Sequence, residues 1–136
     1  MERQSRIIRG IWAICLLLAG FNHARILVQH GLFWDYYGAS TASARYWSSL
    51  TIIDPLVVTL LVIRPRVGVP ATVVVIATNV MHNLVATVRY VPHGAFFEYV
   101  TSSWQMVSQI GFLFFVVATW RMAARGIRKV NGLSSN

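Results

Sequence analysis

The residues best suited to chemistry are few and lie in greasy surroundings. Asp54 sits in TIIDPLVVTL, where a carboxylate and a proline interrupt an otherwise hydrocarbon run. FNHAR supplies Asn22, His23 and Arg25, TNVMHN supplies Asn79, His82 and Asn83, and SSWQMVSQ supplies Gln105, Ser108 and Gln109. A carboxylate and an imidazole can hold or move a proton, or balance a cation, while amides orient what they touch. On a helix, Asn79, His82 and Asn83 share one face through i, i+3 and i+4 spacing. By the same spacing Gln105, Ser108 and Gln109 share a face with Ser102.

An ionisable side chain at mid-span costs about 2.5–3.5 kcal/mol on insertion scales, so Asp54 needs a partner, water or a proton. It reads as the marker of a site. An ion pair with Arg25 or a contact with His82 would satisfy it structurally instead, although Arg25 can also snorkel outward. Amides between membrane helices often serve as hydrogen-bonding glue, worth about 0.6–2 kcal/mol per contact. The candidate acid–base residues are therefore Asp54, His82 and His23. The candidate ligand-binding set is Asn22, His23, Asp54, Asn79, His82, Asn83, Gln105 and Gln109.

The elements that must position these residues follow from composition. Of 136 residues 56% are hydrophobic and only 12% charged, with a mean hydropathy of +0.57. So little polar surface cannot cover a water-soluble exterior, and a multi-pass membrane domain is expected. The net charge of +8 clusters between apolar runs rather than on one face, so nucleic acid is not an expected partner. Lys129 is the lone Lys among 12 basic residues, a bias that suggests a GC-rich bacterial genome, and with the apolar spans a bacterial inner membrane. Cys15 is the single cysteine, which excludes an intrachain disulfide. No Gly-rich phosphate loop, H-E-x-x-H or zinc-spaced Cys/His set occurs, so no metal and no cofactor are expected. A heme held between His23 and His82 is geometrically open to a four-helix bundle, but nothing in the spacing selects it.

Four stretches approach the length needed to cross about 30 Å of hydrocarbon. They cover about 8–28, 47–63, 71–88 and 102–120, with a polar tail over 121–136, in a single domain. RPRVGVP reads as a tight loop between the second and third spans, and HGLFWDYYGASTASAR as the longest connection. YVPHGAFFEY links the third and fourth, and Trp47, Trp104 and Trp120 suit interfacial anchoring. MERQSRIIR followed by GIWAICLLLAGF could be a signal peptide, but no small-residue cleavage site follows, so an uncleaved span is expected. Arg3, Arg6, Arg9, Arg64, Arg66 and four basic residues after Trp120 fall on one side. Arg45 and Arg89, with Arg25 just inside, fall on the other. The positive-inside rule then puts both termini in the cytoplasm. The fold expected is an all-α bundle of four transmembrane helices.

Asp54 with Pro55 could cap a helix and open its first turn, but a helix from there to 63 is too short to cross. The second span is thus expected to run through Asp54 as a kinked helix, or to break there inside protein. Counting about 1.5 Å per residue from Trp47 sets Asp54 about 10 Å below the outer surface. The other polar candidates fall at similar depth, whereas the inner halves, such as GIWAICLLLAG and FLFFVVAT, are almost wholly apolar. A polar pocket in the outer leaflet is expected.

GFNHARILVQHGLF in span one, DPLVVTLLVIRPR in span two and NVMHNLVATVRYVPHG in span three, with an amide- and aromatic-rich fourth span, together resemble the EXPERA domain of emopamil-binding and sigma-2 proteins over 20–120. That resemblance implies a four-helix membrane fold with an enclosed cavity for an apolar molecule bearing a polar or cationic end. It matches His23 to the family's first-span histidine. The carboxylate one turn later in that family falls here on Leu27, and Asp54 lies deeper than the family's second-span glutamate. What the resemblance implies is accordingly the fold and the enclosed site.

Three function classes follow. The first is a protein that binds a lipid-like or amine-bearing hydrophobic small molecule, with Asp54 as counter-charge. The second is a proton-transfer, isomerase-like enzyme on a membrane-dissolved substrate, using His82 and Asp54. The third is a non-catalytic membrane subunit whose polar layer is packing or an oligomer contact. Membrane lipid and a hydrophobic small molecule are the expected partners, and assembly as a homo-oligomer stays open.

Overall fold

A computed structural model describes residues 2–125 and 127. The described residues form five helices and no strands: α1 Glu2–His30, α2 Thr41–Ile63, α3 Pro65–Tyr90, α4 Phe96–Ser102 and α5 Trp104–Ala123. Among them α1, α2, α3 and α5 are long and apolar enough to cross a membrane. Each long helix packs against two others, α1 on α2 and α5, and α3 on α2 and α5, which closes a ring in up-down-up-down order. Trp12, Leu16, Val57, Leu61, Ile76 and Val116 fill its centre. The outward faces carry exposed Ile14, Leu18, Phe21, Ile52, Val74 and Phe114, an apolar exterior suited to hydrocarbon rather than water.

Since lipid tails are as apolar as leucine, helices in a bilayer gain little from burying hydrocarbon and depend on close packing and hydrogen bonds. Both are present between these helices. Ser5 Oγ donates to the Ala123 carbonyl at 2.8 Å, and Trp12 Nε1 donates to Thr119 Oγ1 at 3.1 Å. Gly68 on α3 meets the α2 backbone so closely that a Cβ there would collide with the Leu61 nitrogen.

That contact corrects the reading of RPRVGVP as a loop. Only Arg64 separates α2 from α3, and the segment from Pro65 onward is helical. Pro65 occupies the first helical position, where an N–H has no partner to lose. Gly68 is there for close approach, and the Arg64 carbonyl accepts from both the Val67 and Gly68 amides at 2.9 Å. The second span likewise starts earlier than 47, at Thr41, where Ser40 caps the helix by accepting from the Ser43 amide. The 31–40 connection is anchored to the end of α3, because the Ser40 amide donates to the Tyr90 hydroxyl at 2.9 Å.

The fourth span is interrupted. Ser103 takes an extended conformation, ends α4 and caps α5 by accepting from the Met106 amide. Ser102 therefore belongs to a different helix from Gln105, Ser108 and Gln109, and the shared face expected of the four does not exist. The tail expected over 121–136 begins as helix to Ala123; residue 126 and residues 128–136 of it lie outside the described residues.

Candidate functional site

The α2 helix runs without a break through Asp54 and Pro55. Proline has no N–H, so the Thr51 carbonyl one turn earlier loses its helical donor. Asp54 itself is 3% exposed. It forms no hydrogen bond or ion pair with any described residue. Arg25, whose pairing with it was the rival structural reading, is exposed and donates instead to Asn22 Oδ1 at 3.4 Å.

What lies against Asp54 is a glycine. A Cβ on Gly20 would stand 3.2 Å from the Asp54 Cβ and 3.4 Å from Pro55 Cδ, so α1 and α2 are in close contact beside Asp54. The two helices are antiparallel neighbours. The register that faces Gly20 with Asp54 therefore sets His23, three residues further along α1, level with Thr51, three residues back along α2. Both carry a buried polar atom without a partner, His23 Nδ1 and Thr51 Oγ1.

One turn above Thr51, Trp47 faces α3. Its ring meets His82 edge-on at 5.5 Å, while Tyr46 lies tilted over the same imidazole at 4.4 Å. His82 Nε2 is buried and unpartnered. From the other side Tyr36 reaches Trp47, with ring centroids 5.0 Å apart, and the Tyr36 hydroxyl is buried without a partner. Tyr36 and its neighbour Tyr37 hold φ values of 51° and 61°, a left-handed backbone that is costly for bulky residues. Such strain persists only where the surroundings enforce it. Here Trp34 stacks on His30 at 3.9 Å and packs tilted against Tyr36 at 4.5 Å.

Trp47, Thr51 and Asp54 stand at i, i+4 and i+7, so they form one face of α2 about 10 Å long. Tyr36 and His82 attach at its top, His23 comes in midway, and Asp54 closes its foot. The polar layer expected at one depth is thus a column. Asp54 and His82 lie toward opposite ends of it. Among the candidate acids and bases, His23 is the imidazole nearest in level to Asp54.

The amides behave differently. Asn83 is a hub: its Oδ1 accepts from Trp47 Nε1 at 2.7 Å, and its Nδ2 donates to Gln109 Oε1 at 2.6 Å and to Asn79 Oδ1 at 3.4 Å. Asn79, Asn83 and Gln109 are therefore brought together and spend their polar groups on one another, joining α2, α3 and α5. Gln105 is exposed, with its carbonyl accepting from Ser108 Oγ at 3.1 Å. Asn22 is half-buried and engaged by Arg25.

Sequence reasoning passed over Gly20, Tyr36, Tyr46, Thr51 and the inward role of Trp47, which had been read as an interfacial anchor. The Trp47–Thr51–Asp54 spacing was a legible signal for two of these; the close approach at Gly20 had none. Trp104, 80% exposed, does have the outward placement expected of an anchor. No protein-family profile, curated protein or solved structure matches the chain.

Proposed function

We propose that this is a multi-pass membrane protein that binds a hydrophobic molecule with a polar or cationic end in the column between Tyr36 and Asp54. The supporting observation is a buried carboxylate that no described residue hydrogen-bonds or ion-pairs with, at the foot of a face beside which further buried polar atoms, on His23, Thr51, His82 and Tyr36, also lack a hydrogen-bond partner among the described residues. Buried polar groups in native structures are nearly always paired, so a concentration of orphans in one half of a bundle asks for a ligand with complementary groups. An ammonium group would neutralise Asp54, and the Trp47, Tyr46 and Tyr36 rings would accept its alkyl body. The resemblance to EXPERA-domain proteins supports the same kind of enclosed site.

In this reading both chain ends lie in the cytoplasm of a bacterial cell and the column opens in the outer leaflet. Its support is the gathering of Arg6, Arg9, Arg64, Arg66 and Arg125 at one end of the bundle. For Asn79, Asn83 and Gln109 a plainer role is favoured by their mutual hydrogen bonds. They are the bolts of the bundle, and the ligand reading does not need them.

The test is binding of a radiolabelled hydrophobic tertiary amine to the purified protein in neutral detergent. Asp54→Asn is expected to weaken binding at least about tenfold, the worth of one charge-assisted contact, while insertion and yield stay unchanged. Equal binding by Asp54→Asn defeats the reading. Single-cysteine accessibility at residues 3 and 45 from the two sides of the membrane tests the orientation.

A further inference from the structure

A second place in the fold gathers chemistry that the Asp54 column does not use. At the end of the bundle where α1 begins, a cleft of about 670 Å³ is lined by Arg6 and Arg9 of α1, Arg64 and Arg66 of the α2–α3 corner, and Arg125 beyond α5. Among the described residues Glu2 is the single carboxylate in its wall, and Ile63, Pro65, Val67 and Ile127 supply an apolar side. Arg66 is engaged, donating to the Ile127 carbonyl at 3.2 and 3.3 Å. The guanidinium groups of Arg6, Arg9, Arg64 and Arg125 make no hydrogen bond or ion pair with any described residue.

Basic residues that only mark topology need not converge, and like charges brought round one cleft repel. These come from three separate stretches of chain, and the fold brings them together. Guanidinium forks match the oxygens of a phosphate two at a time, and basic pockets between helices at the membrane surface hold lipid phosphates. We infer that this cleft binds a phosphate ester carrying net negative charge, held by Arg6, Arg9, Arg64 and Arg125. The apolar wall favours an anionic phospholipid headgroup as its source over a free phosphate, since Ile63 and Val67 would lie along the first methylenes of the acyl chains. The inference requires that the long helices cross a membrane, and is independent of the Asp54 column.

The experiment uses the full chain in neutral maltoside detergent, with native mass spectrometry and thermal unfolding as readouts. Short-chain phosphatidylglycerol, phosphatidylcholine of the same chain length and inorganic pyrophosphate are titrated separately. Phosphatidylglycerol is expected to bind at least about tenfold more tightly than phosphatidylcholine and to raise the unfolding midpoint. The double variant Arg6→Gln/Arg64→Gln should lose that preference, and Arg89→Gln near the opposite end should keep it. Arg6→Lys/Arg64→Lys retains charge and insertion signals yet cannot form the fork, so it should bind about threefold or more weakly. Binding of pyrophosphate alone, lost in the Gln double variant, keeps the anion site and assigns it to a soluble phosphate. Equal binding of the two lipids, absence of binding by all three probes, or unchanged binding by either double variant overturns the inference. So does an equal loss in Arg89→Gln.

Discussion

Gly20 and Asp54 face each other across the α1–α2 contact with room for a hydrogen and little more, since a Cβ on Gly20 would stand 3.2 Å from the Asp54 Cβ. A glycine of α1 thus sits against the buried carboxylate-bearing residue of α2. Gly20→Ala requires a shift of a few tenths of an ångström and is expected to lower stability by under about 1 kcal/mol. Gly20→Leu should cost about 1–3 kcal/mol by overpacking, and it should also weaken amine binding by prising α1 from the column. Thermal unfolding beside the binding assay separates the two effects. A Gly20→Leu protein with wild-type affinity would disconnect this contact from the column.

Asp54→Asn separates function from stability in the opposite direction. A buried carboxylate without a partner is a cost to the folded state, whereas an amide of the same shape removes the charge. The variant is expected to unfold at the wild-type midpoint or above it while losing the amine. Sites that sacrifice stability for binding show this pattern. A lowered midpoint in the absence of ligand would mean that Asp54 holds the bundle together.

Asn83 makes the contrary prediction. Asn83→Leu strands the Trp47 N–H and the Gln109 carbonyl and should destabilise by about 1–2 kcal/mol. A double-mutant cycle with Trp47→Phe is expected to return a coupling of about 0.6–1.7 kcal/mol, the range for hydrogen bonds between membrane helices. Zero coupling in a reversible detergent-unfolding assay would remove the bond.

Gly68→Ala is expected to be the most damaging single methyl in the protein. The atoms nearest the added carbon are α2 backbone, at Leu60 and Leu61, and backbone cannot rotate away as a side chain can. A loss of more than about 3 kcal/mol, the top of the ordinary overpacking range, should show as failure to accumulate in the membrane. Normal yield and an unshifted midpoint would refute the contact.

The elements were more legible than their ends. Hydropathy alone announces four crossing-length helices, because a stretch such as VVTLLVI has no alternative solvent. RPRVGVP misled because two prolines and a glycine read as a loop, although a helix tolerates Pro65 at its first position and uses Gly68 for a neighbour's backbone. The Ser103 break was hidden because VTSSWQMV carries neither a glycine nor a proline to announce it. Within the candidate site, Asp54 stood out from its surroundings and the i+3/i+4 amides from their spacing. Their pairing did not, since Asn83 and Gln109 meet only through helix register, which one sequence does not fix. The strained Tyr36 and Tyr37 were equally silent, because a left-handed tyrosine leaves no mark in composition.

The junction at Arg64 has a mechanical consequence. With one residue between them and Gly68 pressed on its neighbour, α2 and α3 form a hairpin with almost no connecting chain. The helix α1, by contrast, is tied to that hairpin through the longer 31–40 connection. A guest entering beside Asp54, as proposed, would have to part α1 from α2, the most extensively packed helix pair of the bundle.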